Sequence, residues 1–520
     1  MRNTLKDCAK LFVVAAVFCS SLAHAQSKDP IIEKMIKEAN ENSQLENLAH
    51  ELLDQIGPRL VGTPQMKKAN DWAVAKYGTW GISAKNEQWG QWRGWERGIT
   101  HIDLVSPRLR TLEGTQLAWS PSTKKPINAE AIVLPLVADS IAFQNWLPTV
   151  KGKVVLISLN PISGRPDKNW EEFATKDVFA KMKADKAAAG AAWAARLKKT
   201  GLNAKNLALA LENAGAAAVV INNWSQGWGV DKVFGANTTK IPTVDLSVED
   251  YGLVYRLAES GSKPKLKIVS ESKELGLVPT LNTIAEIKGT TKPNEYVMLS
   301  AHFDSWDAAS GATDNGSGTI MMMETMRILK KFYPNPKRTI LVGHWGSEEQ
   351  GLNGSRAFVE DHPEIVSNLQ ALFNQDNGTG RVVNLSGQGF AKAKDFIPRW
   401  LAAVPDTIKN QIRTSFPGSP SSGGSDNASF ASAGAPGFSL SSTSWDYGTY
   451  TWHTNRDSYD KLVFDEIRSN AILAAILVYM ACEDPERLSH EKATLPANPR
   501  TGAPGVWPTP TKANRKGGVN

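Results

Sequence analysis

Segment 301–318 constrains the fold most strongly, because it places His302 and Asp314 between two apolar segments. Residues 296–300 are short and apolar, which predicts a buried strand, and residues 319–329 have the pattern of a helix. His302 would therefore lie where a strand ends, and Asp314 just before a helix begins. Ligands bind at the carboxyl ends of strands in open α/β sheets. Taken alone, the segment leaves two interpretations open: a metal site, or a buried histidine beside a helix N-cap aspartate.

Three later groups of residues favour the metal site. Two further apolar segments are predicted as strands, and carboxylates follow both, with Glu348 and Glu349 after the first and Asp376 after the second. His453 lies in a later loop. Because each group follows a strand or lies in a loop, all of them can converge at one edge of a sheet. Two histidines with several carboxylates, and no cysteine, suit a catalytic zinc site rather than a cysteine-rich structural one.

The order of these residues resembles the M28 family of zinc peptidases, which are co-catalytic aminopeptidases and carboxypeptidases. The family order is His-x-Asp, Asp-Asn, Glu-Glu, Asp and a late His. The matching residues here are His302, Asp304, Asp314, Asn315, Glu348, Glu349, Asp376 and His453. The resemblance covers residues 283–485 and an earlier stretch. The surroundings, including Trp306 and Trp452, look closest to the plasma glutamate carboxypeptidase branch, which cleaves dipeptides.

The resemblance implies a site for two Zn²⁺ ions. Its expected metal ligands are His302, Asp314, Glu349, Asp376 and His453. Asp314 would bridge the ions, because two neighbouring cations repel unless a carboxylate and a water lie between them. His302 and Asp376 would complete one ion, and Glu349 and His453 the other. Carboxylate-rich sites accept several metals, so the native metal is left open.

The resemblance also implies roles outside the ligand set. Glu348 would be the general base that takes a proton from the metal-bridged water and passes it to the leaving amine. Asp304 would accept a hydrogen bond from the free ring nitrogen of His302 and so orient the ring; a loop cap is the alternative. Tyr447 or Tyr450 could stabilise the oxyanion, and the sequence does not choose between them.

The chain divides into five predicted segments. They are a signal peptide at 1–25, the N-terminal part of the peptidase domain at 26–125, an inserted protease-associated (PA) domain at 126–275, the catalytic domain at 283–485 and a flexible tail at 486–520. The signal rests on a basic start, an apolar core and a small-residue cleavage site at Ala25. The strand pattern of the third segment resembles PA domains. Within it, residues 170–199 are long and helical, either a lid or a solvated surface helix.

The predicted fold is α/β, with a central mixed sheet flanked by helices as in zinc exopeptidases, and an inserted PA domain. The predicted function is that of a secreted or periplasmic zinc exopeptidase that hydrolyses dipeptides or short peptides. A formal charge of +7 over 520 residues, without blocks of basic residues, argues against a nucleic-acid partner. No later apolar run is long enough to predict a membrane span.

Two other functions fit parts of the pattern. Glutaminyl cyclisation uses the same fold with a single zinc, and a non-catalytic PA-containing protein would bind partners without hydrolysis. The presence of His302 and Asp376, which a second ion needs, argues against the first function. The complete ligand set with Glu348 argues against the second. The oligomeric state, a homodimer included, and the peptide terminus that is recognised are left open.

Overall fold

The computed structural model describes residues 29–497 and 501–518, so the predicted signal peptide lies outside the described residues. The α-helices are Pro30–Glu41, Leu45–Ala49, Pro64–Thr79, Ser140–Trp146, Asp167–Phe173, Lys176–Lys199, Ala204–Asn213, Val248–Glu259, Ser317–Phe332, Asn353–Asp361, Pro363–Ser367, Ala393–Leu401, Asp406–Lys409, Asn427–Ser432, Tyr447–Tyr450 and Phe464–Glu483. Short π-helical turns are His50–Ile56 and Ala312–Gly316, and short 3₁₀ turns are Leu147–Val150 and Tyr459–Lys461. Among the described residues, no helix combines the length and apolar character needed to cross a membrane.

The strands are numbered in chain order. They are β1 Ser83–Ser106, β2 Arg110–Thr111, β3 Gly114–Gln116, β4 Ile127–Val133, β5 Val154–Leu156, β6 Ala218–Ile221, β7 Trp224–Gly227, β8 Val230–Asp231, β9 Thr243–Leu246, β10 Lys265–Ile287, β11 Lys292–His302, β12 Arg338–Trp345, β13 Leu369–Asn374, β14 Val382–Ser386, β15 Arg413–Ser415, β16 Gly437–Ser442 and β17 Lys516–Gly517. Strands β7 and β8 form a separate pair, and the others join one extended sheet.

The part of the sheet that carries the site has the order β15-β14-β16-β13-β11-β12-β10. Strands β12, β11, β13 and β16 run parallel, while β10 and β14 are antiparallel to their neighbours β12 and β16. In the register of the parallel strands, His302 lies opposite Trp345 and Ser300 opposite Asn374. The segments that follow β11, β12 and β13 therefore leave the sheet at the same edge.

Helices cover both faces of this sheet, so the predicted mixed α/β fold is confirmed. On one face, Ser317–Phe332 and Phe464–Glu483 pack with the N-terminal helices in the largest apolar core. Almost every side of Ser317–Phe332 is buried, because it lies between the sheet and Phe464–Glu483. On the other face, Phe358 and Phe430 pack against Trp345. The buried layers on both faces hold β11 and β12 in place beneath the site.

A second unit follows the long strand β1. Strands β4, β5, β6, β9 and β3 form its sheet, with separate apolar clusters on the two faces. Strand β10 belongs to both parts, since Lys265–Ile268 pairs with β4 and Thr283–Ile287 pairs with β12. Strand β1 pairs with β10 from Ser83 to Ser106. A two-stranded ribbon, rather than a linker, therefore joins the units, and the predicted boundary at 275 falls inside β10. The PA assignment stays a prediction.

Three tryptophans of β1 pack in the interior. Trp89, Trp92 and Trp95 are at most 5% exposed. The Ala- and Lys-rich stretch forms Asp167–Phe173 and Lys176–Lys199, and most of the second helix is exposed. Lys168, in the first helix, forms an ion pair with Asp446 of the loop that precedes the late histidine.

The described part of the C-terminal tail contacts the rest of the fold, and its flexibility stays a prediction. Trp507 packs edge-on against Phe390 and donates a hydrogen bond to the carbonyl of Ala493. Arg515 forms ion pairs with Glu360 and Asp361, and β17 pairs with β1. A half-buried tryptophan and a paired arginine thus hold this part of the tail against the surface.

Candidate metal centre

His302, Asp314 and Asp376 converge at the carboxyl edge of the sheet. His302 is the last residue of β11, and Asp376 follows β13. Asp314 lies in the turn that enters the helix Ser317–Phe332. The Nε2 atom of His302 is 3.3 Å from Oδ1 of Asp314 and 3.2 Å from Oδ1 of Asp376. The three ligand atoms form one cluster that could hold a metal ion.

A second cluster shares Asp314. The Nε2 atom of His453 is 3.3 Å from Oδ2 of Asp314 and 2.8 Å from Oε2 of Glu349. Asp314 therefore turns one carboxylate oxygen toward His302 and the other toward His453. Two cation sites with a shared carboxylate are the arrangement that a bridged metal pair requires. The structure thus brings together all five residues that the sequence selects as ligands.

The chemistry of these residues fits zinc. Oδ2 of Asp314 and Oε1 of Glu349 are buried and have no hydrogen-bond partner among the described residues. Burial and the charge of Asp314 raise the pKa of Glu349 well above its ordinary value, because neighbouring carboxylates disfavour its charged form. Zinc takes nitrogen and oxygen ligands at about 2.0–2.1 Å, which sets tetrahedral ligand atoms about 3.3 Å apart. The spacings around Asp314 agree with that value.

Asp304 supports the site through different atoms from those expected. Its backbone carbonyl lies 3.0 Å from Nδ1 of His302, whereas its nearer carboxylate oxygen lies 3.8 Å from that nitrogen. The carboxylate instead accepts hydrogen bonds from the backbone N–H groups of Glu348 and Glu349. The tight turn after His302 brings the carbonyl under the ring, which leaves the carboxylate free to reach the neighbouring loop.

Glu348 lies beside the two clusters but contributes to neither. It occupies the same turn as Glu349, and its backbone is fixed by Asp304. Burial raises the pKa of Glu348 well above its ordinary value; the positive charge of His302 opposes this rise, and the charges of Asp376 and Asp426 add to it. A carboxylate that adjoins the ligands without joining them is available for proton transfer.

Two buried residues that the sequence did not single out hold the loop before Asp314. Arg59 is fully buried, and its guanidinium donates to the carbonyls of Phe303, Gly57, Ser310 and Gly311 at 2.7–3.0 Å. The carboxylate of Asp457 accepts from the N–H groups of Thr313 and Asp314 at 2.8 and 3.0 Å. Burial lowers the pKa of Arg59 to about 10, against the opposing charges of Asp457, Asp304, Asp314 and Glu349, so it remains a cation at neutral pH.

The structure distinguishes the two candidate tyrosines. The ring of Tyr447 packs against Gly378 beside Asp376, and burial together with the charges of Asp314, Asp376 and Glu349 raises the pKa of its hydroxyl. Tyr450 instead faces the second unit, where its ring lies against Gly227 and near the ammonium of Lys168. Tyr447 is therefore the tyrosine at the metal centre.

His344 has a structural position. It is buried in β12, and its Nε2 lies 2.8 Å from the hydroxyl of Tyr77. Its ring packs against Phe303 and is not part of either cluster. Asn427, the first residue of the buried helix Asn427–Ser432, donates a hydrogen bond to the hydroxyl of Ser421.

The second unit reaches the metal centre directly. The backbone N–H of Val233 donates to the carbonyl of His453 at 2.8 Å. The ring of Phe234 stands edge-on to the rings of His453 and Trp306, with centroids 5.4 Å away in both cases. The wall beside His453 is thus formed by residues more than 200 positions earlier in the chain, and this side of the site is covered.

Comparison with known proteins places this geometry in a family. Residues 282–478 match the model of Peptidase family M28. Carboxypeptidase Q of Mus musculus is 25% identical over 438 residues, which cover 84% of this chain and 85% of that protein. Carboxypeptidase Q of Homo sapiens is 25% identical over 471 residues, or 90% of each chain.

A solved structure of a peptidase M28 precursor from Shewanella amazonensis has a TM-score of 0.64 at 23% identity, over 88% of this chain and 97% of that one. A zinc aminopeptidase from Bacillus subtilis has a TM-score of 0.55 at 19% identity, over 86% and 97%. These likenesses show the fold. The fold, the paired clusters and the relatives define a metallopeptidase. Residues 282–478 form a peptidase M28 domain, as predicted.

Proposed function

We propose that this chain is a dizinc exopeptidase that hydrolyses dipeptides and other short peptides. The observation that carries the proposal is the pair of clusters that share Asp314, whose two oxygens face His302 and His453 at 3.3 Å. His302 and Asp376 would hold one ion with Asp314, and Glu349 and His453 the other. Zinc bound there would supply Lewis acidity to the attacking water and to the scissile carbonyl.

Glu348 is proposed as the general base. Its position in the same turn as Glu349, with its backbone held by Asp304, keeps its carboxylate beside the clusters without joining them. In this role it accepts the proton of the attacking water and delivers it to the leaving amine, so that one carboxylate serves both steps. Tyr447, which is buried near the charges of Asp314, Asp376 and Glu349, is proposed to donate to the oxyanion that develops on the scissile carbonyl.

The restriction to short peptides is proposed from the wall around the site. Val233 and Phe234 of the second unit contact His453, so one side of the centre is closed by chain from elsewhere in the fold. A covered site admits a chain end more readily than the middle of a folded chain. We further propose that residues 126–275 are a PA domain and that residues 1–25 direct export from the cytoplasm.

The proposal is tested by metal analysis together with a substrate panel. The purified protein should contain about two zinc ions per chain and lose turnover when they are chelated. The panel compares a dipeptide, its N-acetylated form, its C-terminal amide and denatured casein. Rapid internal cleavage of casein would overturn the exopeptidase assignment. A single bound zinc with cyclisation of N-terminal glutamine would instead identify the glutaminyl-cyclase alternative.

A further inference from the structure

Lys232 is fixed beside the metal centre by its backbone. It follows β8, its N–H donates to the carbonyl of Asn223 at 3.0 Å, and it forms a bridge with Thr454. The next residue, Val233, holds the carbonyl of His453. The backbone of Lys232 is thus tied to the loop that carries a proposed zinc ligand.

The ammonium of Lys232 lies over this loop without a carboxylate partner. Its Nζ is 3.0 Å from the carbonyl of Gly448 and 3.9 Å from the ring centroid of Trp452. Trp452 stacks on the ring of His453 with centroids 3.9 Å apart. Among residues 29–497 and 501–518, no carboxylate lies within ion-pair distance of Lys232, although many other lysines have such a partner. Burial lowers the pKa of Lys232, and the charge of Asp314 opposes this effect.

These contacts leave N–H donors of the Lys232 ammonium free beside the loop that carries His453. An ammonium carries three N–H donors, and the described contacts of Lys232 use one of them on a carbonyl. A partly desolvated cation without a counter-ion strongly favours an anionic ligand. The anion that a peptide brings to a peptidase is its terminal carboxylate.

Two other basic residues in the catalytic half are less suitable. Arg381 is occupied by Glu466 at 2.7 Å. Arg413 is exposed on β15 at the far edge of the sheet. Neither places a free cation next to His453.

We infer that Lys232, beside the metal centre, binds the free C-terminal carboxylate of the substrate. The enzyme should therefore prefer peptides that end in a free carboxylate. This inference rests on the proposed function and names the C-terminus as the end of the peptide that the enzyme recognises. Lys232 acts as a specificity-determining residue here, because it contacts the end of the substrate rather than the reacting carbonyl. A dipeptide satisfies this requirement, because its carboxylate lies one residue beyond the scissile bond.

The test measures binding apart from turnover. Zinc-loaded Glu348→Gln protein is titrated by calorimetry with alanyl-leucine and with its C-terminal amide. The acid should bind about 10–100-fold more tightly than the amide, the range expected of a hydrogen bond to a charged group. Adding Lys232→Met should remove this difference by weakening the acid alone, and Lys232→Arg should preserve most of it. Lys168→Met is the matched control, since it removes another lysine that contacts the same loop.

Two results would overturn the inference: equal affinity for acid and amide in the Glu348→Gln protein, or equal weakening of both ligands by Lys232→Met. The kinetic counterpart is a rise in KM for the dipeptide with little change in kcat. If the protein binds the acid preferentially but the unmutated chain hydrolyses none of the panel, the proposed hydrolysis fails while the carboxylate contact stands.

Discussion

Oδ1 of Asp304 accepts a hydrogen bond from the backbone N–H of Glu348 at 3.0 Å. The other oxygen accepts from Glu349 at 3.3 Å, so one buried carboxylate sets the position of both the proposed base and a proposed ligand. The carbonyl of the same residue faces His302. Asp304 therefore couples two loops that approach the metal centre from different strands.

Asp304→Asn should lower kcat more than it destabilises the fold. The asparagine amide keeps one acceptor but turns a donor toward a backbone N–H, so the loop with Glu348 shifts. Supporting residues of metal sites typically contribute about 10–100-fold to affinity or activity. Zinc content and kcat are measured for Asp304→Asn and for a control variant, Asp460→Asn, in which an exposed aspartate is changed. Unchanged kcat and zinc content would show that the loop keeps its position without Asp304.

Glu348→Gln and Glu349→Gln should differ although the residues are adjacent. The first should keep both metals and lose turnover by about 10²–10⁴-fold, the usual contribution of general acid–base catalysis. The second should lose metal from the cluster that contains His453. Metal content and single-turnover rates distinguish them. Near-normal kcat in fully metallated Glu348→Gln would eliminate Glu348 as the base.

The shared position of Asp314 predicts how metals are lost. His302→Ala and His453→Ala should each lose about one zinc ion preferentially, because each side chain belongs to one cluster. Asp314→Ala should weaken both sites, since its two oxygens face different histidines. Metal analysis during stepwise chelation measures the loss. If all three variants release both ions together, the assignment of the ligands to two separate metal sites is wrong.

Arg59→Met should destabilise the protein strongly. It removes the guanidinium donors of four carbonyls; the carbonyl of Gly311 keeps the N–H of Gly316, whereas the buried carbonyl of Phe303 loses its donor. Buried unsatisfied groups of this kind should cost about 2–5 kcal/mol in the free energy of unfolding. Denaturant unfolding of the metal-free protein provides the measurement, with exposed Arg108→Met as the control. If the free energy of unfolding decreases as little as in the control, water must replace the guanidinium as the donor to these carbonyls.

A buried pair of carboxyl groups in the second unit should make the protein less stable as the pH rises, because the pair must then lose protons. Asp231 and Asp245 are 3% and 1% exposed. Burial, with the charges of Glu249 and Glu113, raises the pKa of Asp231 to about 7, and burial with the charge of Asp231 raises the pKa of Asp245. The folded state therefore binds more protons than the unfolded state between pH 4 and 7, where the unfolded carboxyls have an ordinary pKa of about 3.8.

Asp245→Asn tests this pair. The variant should match the wild type near pH 4.5 and melt at a higher temperature at pH 8, because one buried charge no longer forms. Thermal unfolding of the metal-free proteins across this range gives the comparison, with surface Asp460→Asn as the control. A wild-type curve that rises from pH 5 to 8 parallel to that of the variant would contradict the expectation.

The ligand set could be predicted from the sequence because its members recur in a fixed order after predicted strands. His302, Asp314 and Asp376 all lie close to strand ends or helix starts, which local patterns locate well. The register of β11 with β12 and β13 then brings them together without further information.

The supporting residues could not be predicted in the same way. Arg59 is more than 240 positions from Phe303, and Asp457 is 144 positions from Thr313. Arginine and aspartate at those places look like ordinary surface charges until the fold buries them. Lys232 illustrates the same limit, since only the packing of two units places it over Trp452. The same holds for the tail, where the position of Trp507 depends on Phe390, a partner far away in the sequence.

The ribbon of β1 and β10 has a mechanical consequence. Hinges in proteins are a few loop residues that absorb a change in backbone angles. Here the two units share a continuous pair of strands, with hydrogen-bond pairing from Ser83 to Ser106 that any large rotation would have to break. The ribbon therefore opposes a large rotation of the second unit, so Val233 and Phe234 should keep their places beside His453 whether or not a peptide is bound.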